Sequence, residues 1–390
     1  MSGSGANMRI LQLHTRYRQP GGEDVVVQAE AELLRHAGHE VVQYQAENPH
    51  GAGATVAALA RAPWNATAAR TVTRIAERLR PDVAHVHNTW FALSPAVLPA
   101  LRRAGVPVVM TIHNYRLLCL NALLFRDGRP CEDCVGAAPW KGLRHRCYHG
   151  SAALSATAAA TVALHARRGT WWRDVDVFLA PSAFARSLLL RGGLPAGRVR
   201  VKPSFTADPG PRARAVEDSP TVLYLGRLSQ EKGVDLLLDA WQRRRDQTLE
   251  LLVAGDGPLS AALEPNRVPG VRFLGRLAPE EVRALLLGAR ALVFPSRCYE
   301  VQPMAVLEAL AAGLPVLASG HGGLPELVRP LGDGWLVGEA TAPAWAAALG
   351  RLGDPRLVRR AGGAARRLYE RSFTEAAAAQ ALVSAYEDAR

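Results

Sequence analysis

Phe294-Pro295-Ser296-Arg297-Cys298-Tyr299-Glu300-Val301-Gln302-Pro303-Met304, running on through Leu307-Glu308 to Gly313-Leu314-Pro315, is the stretch on which the reading of this chain turns. Ala291 to Phe294 is an apolar run that stops at Pro295, the signature of a short buried strand. A polar loop follows, and Pro303 falls where its fixed φ suits the first turn of a helix. From Met304 the pattern is helical until Gly313, and Pro315 opens the next apolar run. The order is strand, loop, helix N-terminus, strand. Such a loop offers unpaired N–H groups and the positive end of a helix dipole, a setting suited to phosphate. Glu300 and Glu308 frame it, and carboxylates accept hydrogen bonds from sugar hydroxyls. The combination points to a sugar joined to a diphosphate.

The chain has 390 residues, too many for one ordinary core, so two domains are expected. Its 48% hydrophobic and 21% charged content is that of a globular enzyme, and no apolar run reaches the roughly 20 residues of a membrane span. Met1 to Asn7 reads as a flexible leader without the features of a signal peptide, which makes the cytoplasm the expected location. The net charge of +12 is unevenly placed: residues 1–205 hold 25 Lys and Arg against 13 Asp and Glu, and the remainder is neutral. An anionic membrane surface, a phosphorylated acceptor or a nucleic acid would each suit that excess. The aromatic stacking motifs of nucleic-acid binders are missing, so nucleic acid is not the expected partner.

Working outward, Met8 to His14 reads as a strand, Gly21-Gly22 as a turn and Glu23 to Ala37 as a helix, the opening of a doubly wound α/β unit. The paired glycines let backbone approach a ligand, although the dinucleotide fingerprint is not there. Strands over 83–87 and 106–112 place His87, Asn88, His113 and Asn114 at their carboxyl ends, where ligands bind in such folds. Residues 116–150 break the rhythm and hold Cys119, Cys131, Cys134 and Cys147, with His145 and His149 nearby. A structural zinc, free thiols or a redox pair would each suit these cysteines; four protein ligands would leave the metal no catalytic position. Trp171 and Trp172, flanked by arginines, fit either a membrane interface or the edge of a core. Pro203 to Pro220, proline-rich and without periodicity, reads as the interdomain linker.

A second α/β unit opens at Val222 and leads into Gly226-Arg227-Leu-Ser-Gln-Glu-Lys232-Gly233. Further strands end at Gly255-Asp256-Gly257 and at Gly275-Arg276. Taken together with the opening stretch, this order of motifs resembles the retaining glycosyltransferases of family 4. The resemblance covers nearly the whole chain. It implies the GT-B fold, two doubly wound Rossmann-like α/β domains facing across a cleft. Residues 1–203 would form the acceptor domain with the 116–150 insertion, 204–220 the linker and 221–373 the nucleotide-sugar domain. The last helix, 374–390, would cross back to the first domain.

The resemblance also implies roles. Arg227 and Lys232 would neutralise the donor diphosphate, Glu300 would hold the donor sugar, and Glu308 the ribose hydroxyls. His113 would contact the sugar near the reacting carbon. Gly21, Gly22, Asn114, Gly226, Gly255, Arg276, Val301, Gln302 and Pro303 complete the expected donor site. Val301-Gln302 departs from the small or polar residues usual there, and the cysteine insertion occurs in only some members. No cofactor or catalytic metal is expected, since the two cations stabilise the leaving group. The expected acceptor is a glycan, a lipid-linked glycan or a small natural product. A nucleotide-sugar epimerase or a phosphorylase of the same fold is the alternative, although phosphorylases are far longer.

Overall fold

The computed structural model describes residues 7–17, 21–49, 51–244, 248–263 and 268–390; all but Asn7 of the expected leader lies outside them. The chain divides into two compact units. The first comprises the chain up to Leu124, Glu132–Lys202 and Ala378–Arg390; the second comprises Phe125–Cys131 and Pro203–Ala377.

Six parallel strands build the first unit: β1 (Arg9–Arg16), β2 (Glu40–Glu47), β3 (Val83–Val86), β4 (Val108–Thr111), β5 (Val177–Ala180) and β6 (Val199–Val201), in the order β2-β1-β3-β4-β5-β6. β3, β4 and β5 are buried along their whole length, which is why they read as continuous apolar runs rather than alternating ones. The sheet order reverses between β1 and β3, and Asn88 closes that junction by donating from Nδ2 to the Thr15 carbonyl at 3.0 Å. The last helix, Glu375–Ala389, lays Leu382, Ala385 and Tyr386 against Ile10, Val83, Val109 and Leu179 of this sheet.

The second unit repeats the plan with β7 (Thr221–Leu225), β8 (Glu250–Ala254), β9 (Val271–Gly275), β10 (Ala291–Phe294), β11 (Val316–Ser319) and β12 (Leu336–Val337). Their order is β9-β8-β7-β10-β11-β12, all parallel, with the reversal between β7 and β10. The loops that carry Arg227-Lys232 and Glu300 therefore leave adjacent strands at the one place where a crevice must open. Residues 203–215 have no helix or strand, yet they are not a slack tether. Thr206 N–H donates to the Phe373 carbonyl, Tyr369 Oη donates to the Thr206 carbonyl, and Arg212 donates to the Leu286 and Ala312 carbonyls. Short-range periodicity carries no trace of such bonds, because their partners lie 74 to 167 positions away in the sequence.

Candidate active site

In the second unit the site starts from Gly233. Its φ is +70°, and a Cβ there would lie 2.1 Å from the Pro295 carbonyl oxygen, so the β7 and β10 loops can touch only at a glycine. Arg297 N–H donates to the Glu231 carbonyl at 2.8 Å, and Ser296 Oγ donates to the same oxygen at 3.3 Å, lacing the loops together. This brings Lys232 Nζ to 2.7 Å from Glu300 Oε1, which also accepts from Ser296 Oγ at 2.7 Å. Burial alone would lower the Lys232 pKa, but the Glu300 carboxylate raises it above its ordinary value and the ammonium stays charged. Lys232 keeps about a quarter of its side chain exposed (26%), so the cation remains open to a ligand. Burial, followed by the Glu300 charge, pushes the neighbouring Cys298 thiol up to about 12, which makes it an inert neutral group.

The β11 loop closes on the same point. Gly323 N–H donates to the Glu300 carbonyl at 2.9 Å, and a Cβ on Gly322 would lie 3.0 Å from Glu300 N. His321 packs edge-on to Tyr299, and burial lowers its pKa despite the Glu300 charge; its buried Nδ1 has no hydrogen-bond partner among the described residues. Pro303 caps the Met304–Ala311 helix without a side-chain hydrogen bond, which leaves the first N–H groups to a ligand. One turn further, burial raises the pKa of the half-buried Glu308. Gln302 is turned elsewhere: its Oε1 accepts from Ser204 N–H at 2.6 Å. Arg227 is exposed and makes no ion pair among the described residues, and Arg276 is exposed after β9. Gly226 and Gly255 stack closely: Gly226 N–H donates to the Ala254 carbonyl, and a Cβ on Gly255 would fall 1.9 Å from Gly226 O. Val301 is half-buried between Glu300 and Pro303.

In the first unit His113 stands at the end of β4, and His87 at the end of β3. Their rings stack at 5.2 Å with His87 Nδ1 2.9 Å from His113 Nε2. The proton order follows from Gln12. Its Oε1 accepts from Gln43 Nε2, so its own Nε2 donates to the Val27 carbonyl and to His87 Nε2. Neutral His87 must then carry its proton on Nδ1 and give it to His113 Nε2, which leaves His113 Nδ1–H as a donor. Burial lowers His113 to about 3, so it is neutral across the working range. Asn114 Nδ2 donates to Tyr17 Oη at 3.2 Å and to Glu23 Oε2 at 3.4 Å. Gly21 is the N-cap of the Gly22–His36 helix and has open space where a Cβ would go; its N–H donates to Asp24 Oδ2 at 2.8 Å.

Several members of this centre escaped sequence reasoning. His14, whose Nε2 lies 2.9 Å from Asp24 Oδ1, also faces Glu23, whose carboxyl burial raises to about 7. Beneath them Glu30 is buried against Lys202, and His85 is held between Tyr386 Oη (2.8 Å) and Thr111 Oγ1 (2.7 Å). Acidic residues in the first turn of a helix are the only signal that pointed to Glu23 and Asp24.

Of the three readings of the cysteines, structural zinc finds no support in the structure. Among the described residues the only set of three or more His, Cys, Asp or Glu donors within 4.8 Å of one another is Glu30, His85 and His87, so Cys119, Cys131, Cys134 and Cys147 are not gathered. Cys119 Sγ donates to Asn121 Oδ1 at 2.9 Å. Nor does the Glu30 set suit a metal. Both ring nitrogens of His85 and of His87 already have protein partners, and the Lys202 ammonium supplies the positive charge.

Residues 20–205 match the family model described as Glycosyltransferase Family 4, and residues 219–354 match that of Glycosyl transferases group 1. The chain belongs to the group 1, family 4 glycosyltransferases. Among curated members, the Mycobacterium tuberculosis glycogen synthase is 30% identical over 315 residues, 79% of this chain and 69% of that protein. The sulfoquinovosyl transferase SQD2 of Arabidopsis thaliana is 26% identical over 66% of this chain, and the amylovoran biosynthesis glycosyltransferase AmsK of Erwinia amylovora 34% over 34%. The chain spans only 46% and 35% of these last two proteins. Among solved family folds, sucrose-phosphate synthase from Thermosynechococcus elongatus superposes with a TM-score of 0.72 at 20% identity, covering 97% of this chain and 98% of that one. The Anabaena HepE structure in complex with UDP gives 0.68 at 18% identity, covering 97% and 100%. The two six-stranded parallel units are thus those of the GT-B fold.

Proposed function

We propose that this family member is a retaining glycosyltransferase that moves a sugar from a nucleoside-diphosphate sugar to a hydroxyl of a glycan, lipid-linked glycan or natural product. The observation that carries the reading is the Lys232–Glu300 pair at the reversal of the second sheet, beside an uncapped helix N-terminus. Backbone N–H groups, Lys232 and Arg227 take the diphosphate, whose charge grows as the C1–O bond to it breaks; cations already in place stabilise that charge without reorganisation. Arg227 suits two phosphate oxygens at once, whereas Lys232 acts as a point charge held by Glu300. The acceptor oxygen bonds to C1 on the same face, and its proton passes to the departing phosphate oxygen. Glu300 holds the donor sugar and Glu308 the ribose, and His113 of the first unit has an Nδ1–H to donate to a ligand. The excess positive charge of residues 1–205 suits work at an anionic membrane face in the cytoplasm.

A thermal-shift screen with UDP, GDP, ADP and dTDP, then with their sugars, tests the reading. UDP goes first because the HepE neighbour was solved with it. A diphosphate at a hundred times its dissociation constant should stabilise the protein by about 2.7 kcal/mol. If no nucleotide moves the transition, the donor site is not there.

A further inference from the structure

The first unit carries a groove of about 470 Å³ whose walls come from the cysteine-bearing insertion on one side and the Ala152–Arg167 helix on the other. Trp140 and Trp172, 50% and 39% exposed, both line it, with Pro139, Ala163, Trp171 and Leu194. The walls are held close by design of the backbone: a Cβ on Gly192 would lie 2.1 Å from Leu118 Cδ2, and one on Gly136 would lie 2.8 Å from the Arg191 carbonyl oxygen. Leu117, Val162 and Trp171 line this groove and also a smaller cavity that contains His113, Asn114 and Arg116. The apolar groove and the cavity at the carboxyl end of the first sheet thus lie on either side of one shared set of side chains.

Arg116 stands at that junction. Its guanidinium lies over the Trp90 and Tyr148 rings at 4.9 and 4.6 Å and donates to the Leu120 carbonyl, but no carboxylate is within ion-pair distance among the described residues. Glu23 acts on this half-buried guanidinium only from beyond ion-pair distance, which leaves it able to take an anionic ligand. Of the two arginines that line the groove, Arg167 is exposed and makes no ion pair among the described residues, whereas Arg191 is paired with Glu132 at 2.7 Å. We propose that this unit holds a lipid-linked anionic acceptor, its phosphate on Arg116 beside His113 and its hydrocarbon chain in the groove closed by Trp140 and Trp172. This assigns an acceptor class to the transferase reading above and rests on it.

Isothermal titration of the full chain with farnesyl phosphate, with farnesol and with inorganic phosphate provides the test, each protein being checked for its melting transition and its response to UDP. Farnesyl phosphate should bind the wild type, and neither half of the molecule should match it. Arg116→Gln should weaken binding about 30-fold, the cost of removing one partner of a buried charge pair. Ala163→Trp, which fills the groove, should weaken it about tenfold, and Trp140→Ala at the exposed rim should weaken it without touching the core. Failure of the wild type to bind farnesyl phosphate while UDP still shifts the transition overturns the acceptor assignment alone; failure of both removes the transferase reading beneath it. Vesicles of phosphatidylglycerol distinguish a plain membrane surface: if they bind the protein and Ala163→Trp alters neither ligand, the groove is not the acceptor site.

Discussion

At the residue scale the decisive contact is Lys232 on Glu300. Glu300 is only 7% exposed, and its Oε1 accepts from Lys232 Nζ and from Ser296 Oγ. Lys232→Ala should lower turnover by roughly 10²-fold or more, as should Arg227→Ala, the scale of losing a group that meets charge only in the transition state. Steady-state rates with the donor found in the nucleotide screen check this; variants within about twofold of wild type would remove both residues from the mechanism. Lys232, Glu300 and Arg227 could be named from the sequence because their motifs stand in a fixed local order, and the structure brings Lys232 and Glu300 into contact. Ser296 was not, since a serine two positions from a strand has no distinguishing mark until its Oγ is seen 2.7 Å from Glu300. Gln302 illustrates the opposite case: it sits in the motif, yet its side chain serves the Ser204 backbone.

At the element scale the two loops of the second unit are joined through a glycine. Gly233→Ala puts a non-glycine residue at φ +70°, worth about 1–2 kcal/mol, and adds a 2.1 Å clash with Pro295. The expected outcome is a lower urea midpoint together with weakened diphosphate binding, whereas an unchanged midpoint would mean that the loops do not need this contact. In the first unit the Gly22–His36 helix is tied to β6's end by Glu30 and Lys202, side chains 0% and 3% exposed. Lys202→Met leaves a buried carboxylate unpaired and should cost about 3–5 kcal/mol. Adding Glu30→Gln should recover much of that loss, and a double-mutant cycle that shows no coupling would refute the pairing. The strands themselves were visible in the sequence as short apolar runs ending in glycine or polar residues. Other elements were not, among them the strands Glu40–Glu47, at an edge with a mixed face, and Leu336–Val337, and the helices Ala52–Arg61, Ala66–Leu79 and Pro279–Gly288.

For the molecule as a whole, the first unit stores several histidines in their neutral form. Burial lowers His85 and His165 to about 4 and His113 to about 3, and it lowers His14 and His87 as well. A histidine whose folded pKa lies below its unfolded value of about 6.5 binds fewer protons when native, so stability falls as pH drops through 6.5. The slope is at most about 1.4 kcal/mol per pH unit for each such residue. Calorimetry between pH 7 and pH 5 should show a falling transition assigned to the first unit, with the second unit, whose described histidine is His321, less affected. A first unit equally stable at both pH values would contradict the buried neutral histidines.

The sequence by itself determined the α/β class and the two-unit plan, and its motifs carried the resemblance to the family, because apolar periodicity, glycine turns and the order of cations and carboxylates are local properties of a chain. It also supplied the cysteine spacing that suggested zinc. Only the tertiary structure decided that those sulfurs do not converge, that residues 203–215 are sewn to the second unit, and that Gln12, His87 and His113 form one directed hydrogen-bond chain. Each of these depends on atoms brought together from distant positions, and spacing along a chain does not fix distance across a fold.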